Sequence, residues 1–120
     1  MAHILLADDD RDLCALLATH LEAEGHKITQ TGNGAEAVKI ADVEKPDLVI
    51  LDMNMPGLTG WDAVRQIRKN TEATAIPVIA LSAHRTAGDK DEAHNAGCDI
   101  YLEKPVEIDR LIDVVKSLLG

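Results

Sequence analysis

The sequence predicts an α/β protein: a five-stranded parallel sheet in the order 2-1-3-4-5, built as a (βα)5 chain with helices on both faces. Three observations predict it. Short apolar runs alternate with helical patterns five times along the 120 residues. The runs HILLA, DLVIL and PVIALS lack the polar alternation of a half-exposed strand, so each is expected to be buried on both faces, as strands of a parallel sheet are. Right-handed crossovers then leave few topologies, and this order is the common one for five such units.

The elements follow in order. HILLA, residues 3–7, is the first strand, and Asp10 can cap a helix whose Leu13, Leu16, Leu17 and Leu21 recur at helical spacing until Gly25. HKITQT alternates as an outer strand would. GNG turns the chain into a second helix carrying Ala37, Val38 and Ala41, which must stop near Lys45 because Pro46 follows. DLVIL is the third strand. Thr59 and Asp62 have the spacing of a capping box and open a third helix with Trp61, Val64 and Ile67 along its inner side. PVIALS and IYLE are the fourth and fifth strands. The helix expected between them, over residues 86–96, has only alanines as apolar residues and is weakly anchored. The closing helix, from about Glu107 to Leu119, is fastened by Ile108, Leu111, Ile112, Val115 and Leu118.

One domain is expected over residues 1–120, since no linker-like composition divides the chain. A net charge of −9 would repel a phosphate backbone, which argues against a direct nucleic-acid partner. No apolar run approaches the ~20 residues of a membrane span and the N-terminus lacks a signal-peptide pattern, so a cytoplasmic protein with no membrane partner is expected. Cys14 and Cys98 have no CxxC spacing and read as core thiols.

In the predicted order strands 1 and 3 are neighbours at the switch point, where such folds open their binding crevice. Their carboxyl ends carry Asp8, Asp9 and Asp52, on strands about 4.8 Å apart and so within reach of one cation. The aliphatic third strand is then a rigid post that delivers Asp52 to the acidic pair. An all-oxygen cluster suits a hard cation, and one with few protein ligands suits Mg2+. The alternative for Asp8 to Asp10 is that they begin a helix, where acids are favoured by its dipole; for Asp10 that reading is preferred. Ser82 at the end of strand 4 and Lys104-Pro105 at the end of strand 5 point a hydroxyl and an ammonium toward Asp52, the lysine across two strand spacings, roughly 10 Å. Singly, Ser82 reads as a strand-end polar group and Lys104 as a solvated charge. Together with a metal they form a phosphoryl-transfer pattern in which the carboxylate attacks and the cations neutralise phosphoryl oxygens. No glycine-rich phosphate loop is present, so side chains and metal would hold the phosphoryl group.

ILLADD, LVILDMNMPGLTG, VIALSA, AGCDIYLEKP and the closing amphipathic helix resemble, in order and spacing, the receiver domain of two-component response regulators over essentially the whole chain. The resemblance implies the flavodoxin-like receiver fold, in a stand-alone single-domain form. It implies that Asp52 accepts a phosphoryl group from a histidine kinase or histidine phosphotransfer protein. Asp9 and Asp52 would bind Mg2+ directly, Asp8 largely through water, and Asn54 through its backbone carbonyl. Ser82 stands at the family's switch hydroxyl, Tyr101 at its switch aromatic, and Lys104 at its lysine, followed by a cis bond to Pro105. Val106 departs from the family, which commonly has an aromatic residue there. Asn54 and His84 occupy the two positions bordering the path of the hydrolytic water, where they would tune phosphoryl lifetime; a solvated loop histidine is the alternative for His84. Trp61 reads as hydrophobic filler, and the five histidines show no metal-ligand spacing.

Phosphorylation is expected to shift the population of conformers, with the fourth helix, strand 5 and the closing helix as output surface for a downstream protein. The chain would not be an enzyme, beyond slow self-dephosphorylation. A receiver cut from a longer regulator or hybrid kinase is an alternative. A small haloacid-dehalogenase-like phosphatase is another, since DMN echoes its Asp-x-Asp, but Asn54 replaces the second acid. A flavodoxin-like cofactor binder would have only Trp61 and Tyr101 to stack on a flavin.

Overall fold

A computed structural model describes residues 2–53, 55, 59–69, 76–82 and 97–119. In chain order these form β1 (His3–Ala7), α1 (Arg11–Ala23), β2 (Lys27–Thr31), α2 (Gly34–Glu44), β3 (Leu48–Asp52), α3 (Gly60–Lys69), β4 (Val78–Ser82), β5 (Ile100–Glu103) and α4, the closing helix (Ile108–Leu119). The helix expected over 86–96 lies outside the described residues. All strand pairs are parallel and the order is β2-β1-β3-β4-β5, as expected from the alternation.

The doubly apolar strands follow from the two layers that cover them. Successive strand side chains point to opposite faces. Leu5, Ala7, Val49, Leu51, Val78 and Ala80 face α2 and α3, where Ala37, Ala41, Ala63, Val64 and Ile67 complete one core layer. Ile4, Leu6, Leu48, Ile50, Ile79 and Leu81 face α1 and α4, meeting Cys14, Leu17, Leu21, Leu111 and Val115. A one-residue slip of any central strand would exchange these two sets, so register is tightly specified. Burial of each large aliphatic side chain contributes about 1.5–3 kcal/mol, which makes β3 the strand least able to move.

Capping sets the helix ends. The Asp10 carboxylate accepts the Leu13 N–H at 3.1 Å and opens α1. Asn33 does the same for α2, accepting from Glu36 N–H at 2.8 Å. That helix stops at Lys45, which takes a left-handed conformation (φ 48°) immediately before Pro46. Thr59 Oγ1 accepts the Asp62 N–H at 3.2 Å, the forward bond of the expected capping box. The Asp62 carboxylate itself lies 3.3 Å from Arg65 along the helix surface.

The closing helix is held on both sides. Leu111 and Val115 are buried, Val106 and Ile108 pack against the same layer, and Lys116 pairs with Glu24 of the α1 C-cap at 3.1 Å. Val106 thus fills its place in the core without an aromatic ring. Cys14 and Cys98 are free, buried thiols, as their spacing suggested. Burial pushes their pKa values up to about 11 and about 12 respectively, so both are neutral at physiological pH. Trp61 is half-buried against the α2–α3 layer. Among the described residues no helix is long and apolar enough to cross a membrane.

Candidate functional site

The site lies at the carboxyl ends of β1 and β3, where the sheet order reverses its winding. Asp52 is the last residue of β3, paired with Leu81 of β4, so the sheet ladder fixes its backbone. Asp8 follows β1, its N–H donating to Thr31 O at 3.0 Å at the end of β2. Asp8 and Asp52 are buried, with 1% and 2% of their surfaces exposed, whereas Asp9 is exposed. One carboxylate oxygen from each of Asp8, Asp9 and Asp52 lies within 4.8 Å of the others. The three acids predicted to converge therefore do so.

Three carboxylates at this separation repel one another, and a cation among them offsets that repulsion. Lys104 provides one such charge from the end of β5. Its Nζ lies 3.0 Å from Asp8 Oδ2 and 3.5 Å from Asp52 Oδ1. Its backbone is fixed by an N–H bond to Ser82 O at 2.8 Å, and the following peptide bond to Pro105 is cis. Burial by itself pushes the Lys104 ammonium pKa down, but pairing with Asp8 and the charge of Asp52 outweigh it and hold the value above that of an ordinary lysine.

Asp8 is the most constrained of the three acids. Oδ1 accepts the Asp10 N–H at 2.9 Å, and its main-chain oxygen accepts the Cys14 thiol at 3.2 Å. Oδ2 is buried and lacks an aligned hydrogen bond, so the Lys104 ammonium meets it as an ion pair off the hydrogen-bond axis. A buried acceptor with spare lone pairs, in an oxygen-only donor set of like charge, fits a hard divalent cation such as Mg2+.

Ser82 ends β4 fully buried, one strand from Asp52. Tyr101 sits in β5, half-buried against the α2–α3 layer. Asn54 and His84 lie outside the described residues. Two features went unseen in the sequence. Lys104 was aimed at Asp52, but Asp8 is its nearer partner. Gly60, the first residue of α3, donates its N–H to Met53 O at 3.1 Å and lies against the tip of β3. A glycine directly after the Thr59 cap was the available signal.

Comparison with known proteins agrees with this arrangement. The family model described as "Response regulator receiver domain" matches residues 4–116. The chain is 39% identical over 120 residues to Protein PilH of Pseudomonas aeruginosa, covering 100% of this chain and 99% of that protein. It superimposes on the receiver domain of Francisella response regulator 1452 with TM-score 0.92, 34% identity and coverage of 99% and 97% of the two chains. A further solved structure is the receiver domain of a sensor histidine kinase from Pseudomonas aeruginosa, described with a magnesium ion coordinated in the active site cleft. It gives TM-score 0.92 and 29% identity over 99% of this chain and 98% of that one. These matches favour neither the phosphatase nor the flavin-binding alternative. The fold, the acidic end of the sheet and the family match coincide: the chain belongs to the response regulator receiver domain family, the phosphoacceptor component of two-component signalling.

Proposed function

We propose that Asp52 is the phosphoacceptor of this receiver, taking a phosphoryl group from the phosphohistidine of a histidine kinase or phosphotransfer protein. The observation that carries the reading is the buried Asp52 carboxylate, held at the end of a fully buried strand between two other acids and the Lys104 ammonium. An Asp52 oxygen attacks phosphorus as the N–P bond breaks, and the freed imidazole nitrogen of the donor takes up a proton. Lys104 is one side chain away from an incoming phosphoryl oxygen and would leave Asp8 to meet it. The Ser82 hydroxyl would donate to a second oxygen. Asp8, Asp9 and Asp52 would hold Mg2+, with the Asn54 carbonyl. When bound, that ion supplies positive charge against the phosphoryl oxygens as transfer proceeds.

The new group adds close to two negative charges at a site already crowded with acids. Ser82 and Lys104 would satisfy it by moving, Tyr101 would turn inward, and residues 86–96, β5 and α4 would present an altered surface to a downstream protein. Asn54 and His84 would set how long the phosphoryl group survives. The whole chain would work as one cytoplasmic domain, signalling without turnover of an external substrate.

Incubation with a histidine kinase labelled on its phosphohistidine tests the donor class. Label should pass to this chain to at most one group per molecule and then decay slowly. Many turnovers of phosphate release per molecule would instead favour a phosphatase.

A further inference from the structure

We propose that Gly60 is a positioning residue of the phosphoacceptor site, required because the first turn of α3 rests directly on the peptide that follows Asp52. This rests on the reading of Asp52 as phosphoacceptor. A methyl group at position 60 would lie 2.5 Å from Asp52 O, 2.5 Å from Met53 Cα and 2.8 Å from Met53 Cε, where ordinary contacts are 3.4–4 Å. The first two of these neighbours are main chain, which no rotamer change can clear. That main chain is also held from the other directions. Met53 N–H donates to Leu81 O at 2.9 Å, and Met53 O accepts the Gly60 N–H at 3.1 Å.

The peptide linking Asp52 to Met53 is therefore clamped between β4 and the α3 N-terminus. Thr59 Oγ1 and O accept from Asp62 N–H at 3.2 Å and Ala63 N–H at 2.9 Å, which fixes the first turn of α3, and lifting that turn off the sheet would give up the Gly60 N–H bond to Met53 O. Any side chain at position 60 must either lift α3 off the sheet or displace the end of β3. The second outcome moves the Asp52 carboxylate relative to Asp8, whose own backbone is anchored separately through Thr31. Sites of this kind tolerate displacements of about 0.5 Å, and a misplacement of about 1 Å can slow a reaction roughly a hundredfold.

The test compares Gly60→Ala with Val64→Ala, which removes core volume from the same helix and adds no atom against the Asp52–Met53 peptide. Both are measured for urea stability, for Mg2+ dissociation constant by isothermal titration, and for the maximal rate of phosphoryl uptake from acetyl phosphate at saturating Mg2+. Gly60→Ala is expected to slow uptake at least tenfold and to weaken Mg2+ severalfold, whereas Val64→Ala loses stability but keeps the parent's rate and affinity. Equal rates and affinities in Gly60→Ala and the parent overturn the proposal, as does an equal loss in both variants. If Gly60→Ala does not fold, the Gly60 amide resonance of the parent is followed during Mg2+ titration. It should move with the same midpoint as metal binding, and an unmoved amide overturns the proposal. Failure of the parent to take up phosphoryl at Asp52 counts against the site reading itself; normal labelling of parent and Gly60→Ala counts against Gly60 alone.

Discussion

Lys104 Nζ lies nearer to Asp8, at 3.0 Å, than to Asp52, at 3.5 Å. The lysine thus bridges the two buried acids of the site and offsets part of their negative charge. Its side chain is 21% exposed, against 0% and 3% for its partners, so water screens the ammonium only in part.

Removing that charge should expose its worth. Lys104→Met removes the ammonium that bridges two buried carboxylates, and breaking such a pair from one side costs about 3 kcal/mol, less the share that partial exposure returns. The urea midpoint of the metal-free protein should fall accordingly. Added Mg2+ should recover more stability in Lys104→Met than in the parent, because the ion then supplies charge in place of the lost ammonium. Equal midpoints without metal would mean that the bridge contributes nothing.

Asp9 separates a functional acidic cluster from an incidental one. It is exposed and caps no helix, that role belonging to Asp10. Asp9→Asn should raise metal-free stability by relieving repulsion with Asp8 and Asp52. In the parent, Mg2+ binding to the native state alone adds RT ln(1 + [Mg2+]/Kd), so its midpoint climbs with Mg2+ concentration, whereas that of Asp9→Asn should stay nearly flat. Parallel slopes for the two proteins would remove Asp9 from the metal set.

Alkaline pH should act through the two thiols. Both have folded pKa values raised from 9.0 by burial, Cys14 to about 11 and Cys98 to about 12. The folded state therefore holds its thiol protons longer than the unfolded state does, so the contribution of the two thiols to stability is constant well below pH 9 and falls as pH rises from 9 toward 12. Lys104 adds to the same trend, since its raised value makes the contribution of its ion pairs fade only above the ordinary lysine range. Replacing both cysteines by alanine should shallow the alkaline decline. A thiol reagent at pH 8 should modify neither cysteine until the protein unfolds; rapid native labelling of either would contradict its burial.

The sheet was readable because β1, β3 and β4 are apolar on both faces, and only a sheet covered twice hides such strands. Asp8 and Asp52 were readable for a related reason: an acid at the end of such a strand can only sit at the rim of the sheet, where the topology brings strand ends together. The Lys104–Asp8 pair was not. Counting strand spacings placed Lys104 near Asp52, but the distance across the sheet top also depends on how the Asp8 carboxylate is turned, and the Asp10 N–H that turns it belongs to a loop without periodicity. Gly60 escaped for a similar reason, since close approach of two backbones leaves no hydrophobic pattern. Thr31, buried at the end of β2, anchors Asp8 through a carbonyl, a group every residue carries and no sequence can flag.

The most direct test of the account is intact-mass spectrometry after incubation with acetyl phosphate and Mg2+. The parent should gain a single phosphoryl mass that is absent without metal and absent in Asp52→Asn, while Asp52→Asn keeps the parent's circular dichroism spectrum. A phosphoryl adduct that persists in folded Asp52→Asn would contradict the assignment of Asp52 as the phosphoacceptor.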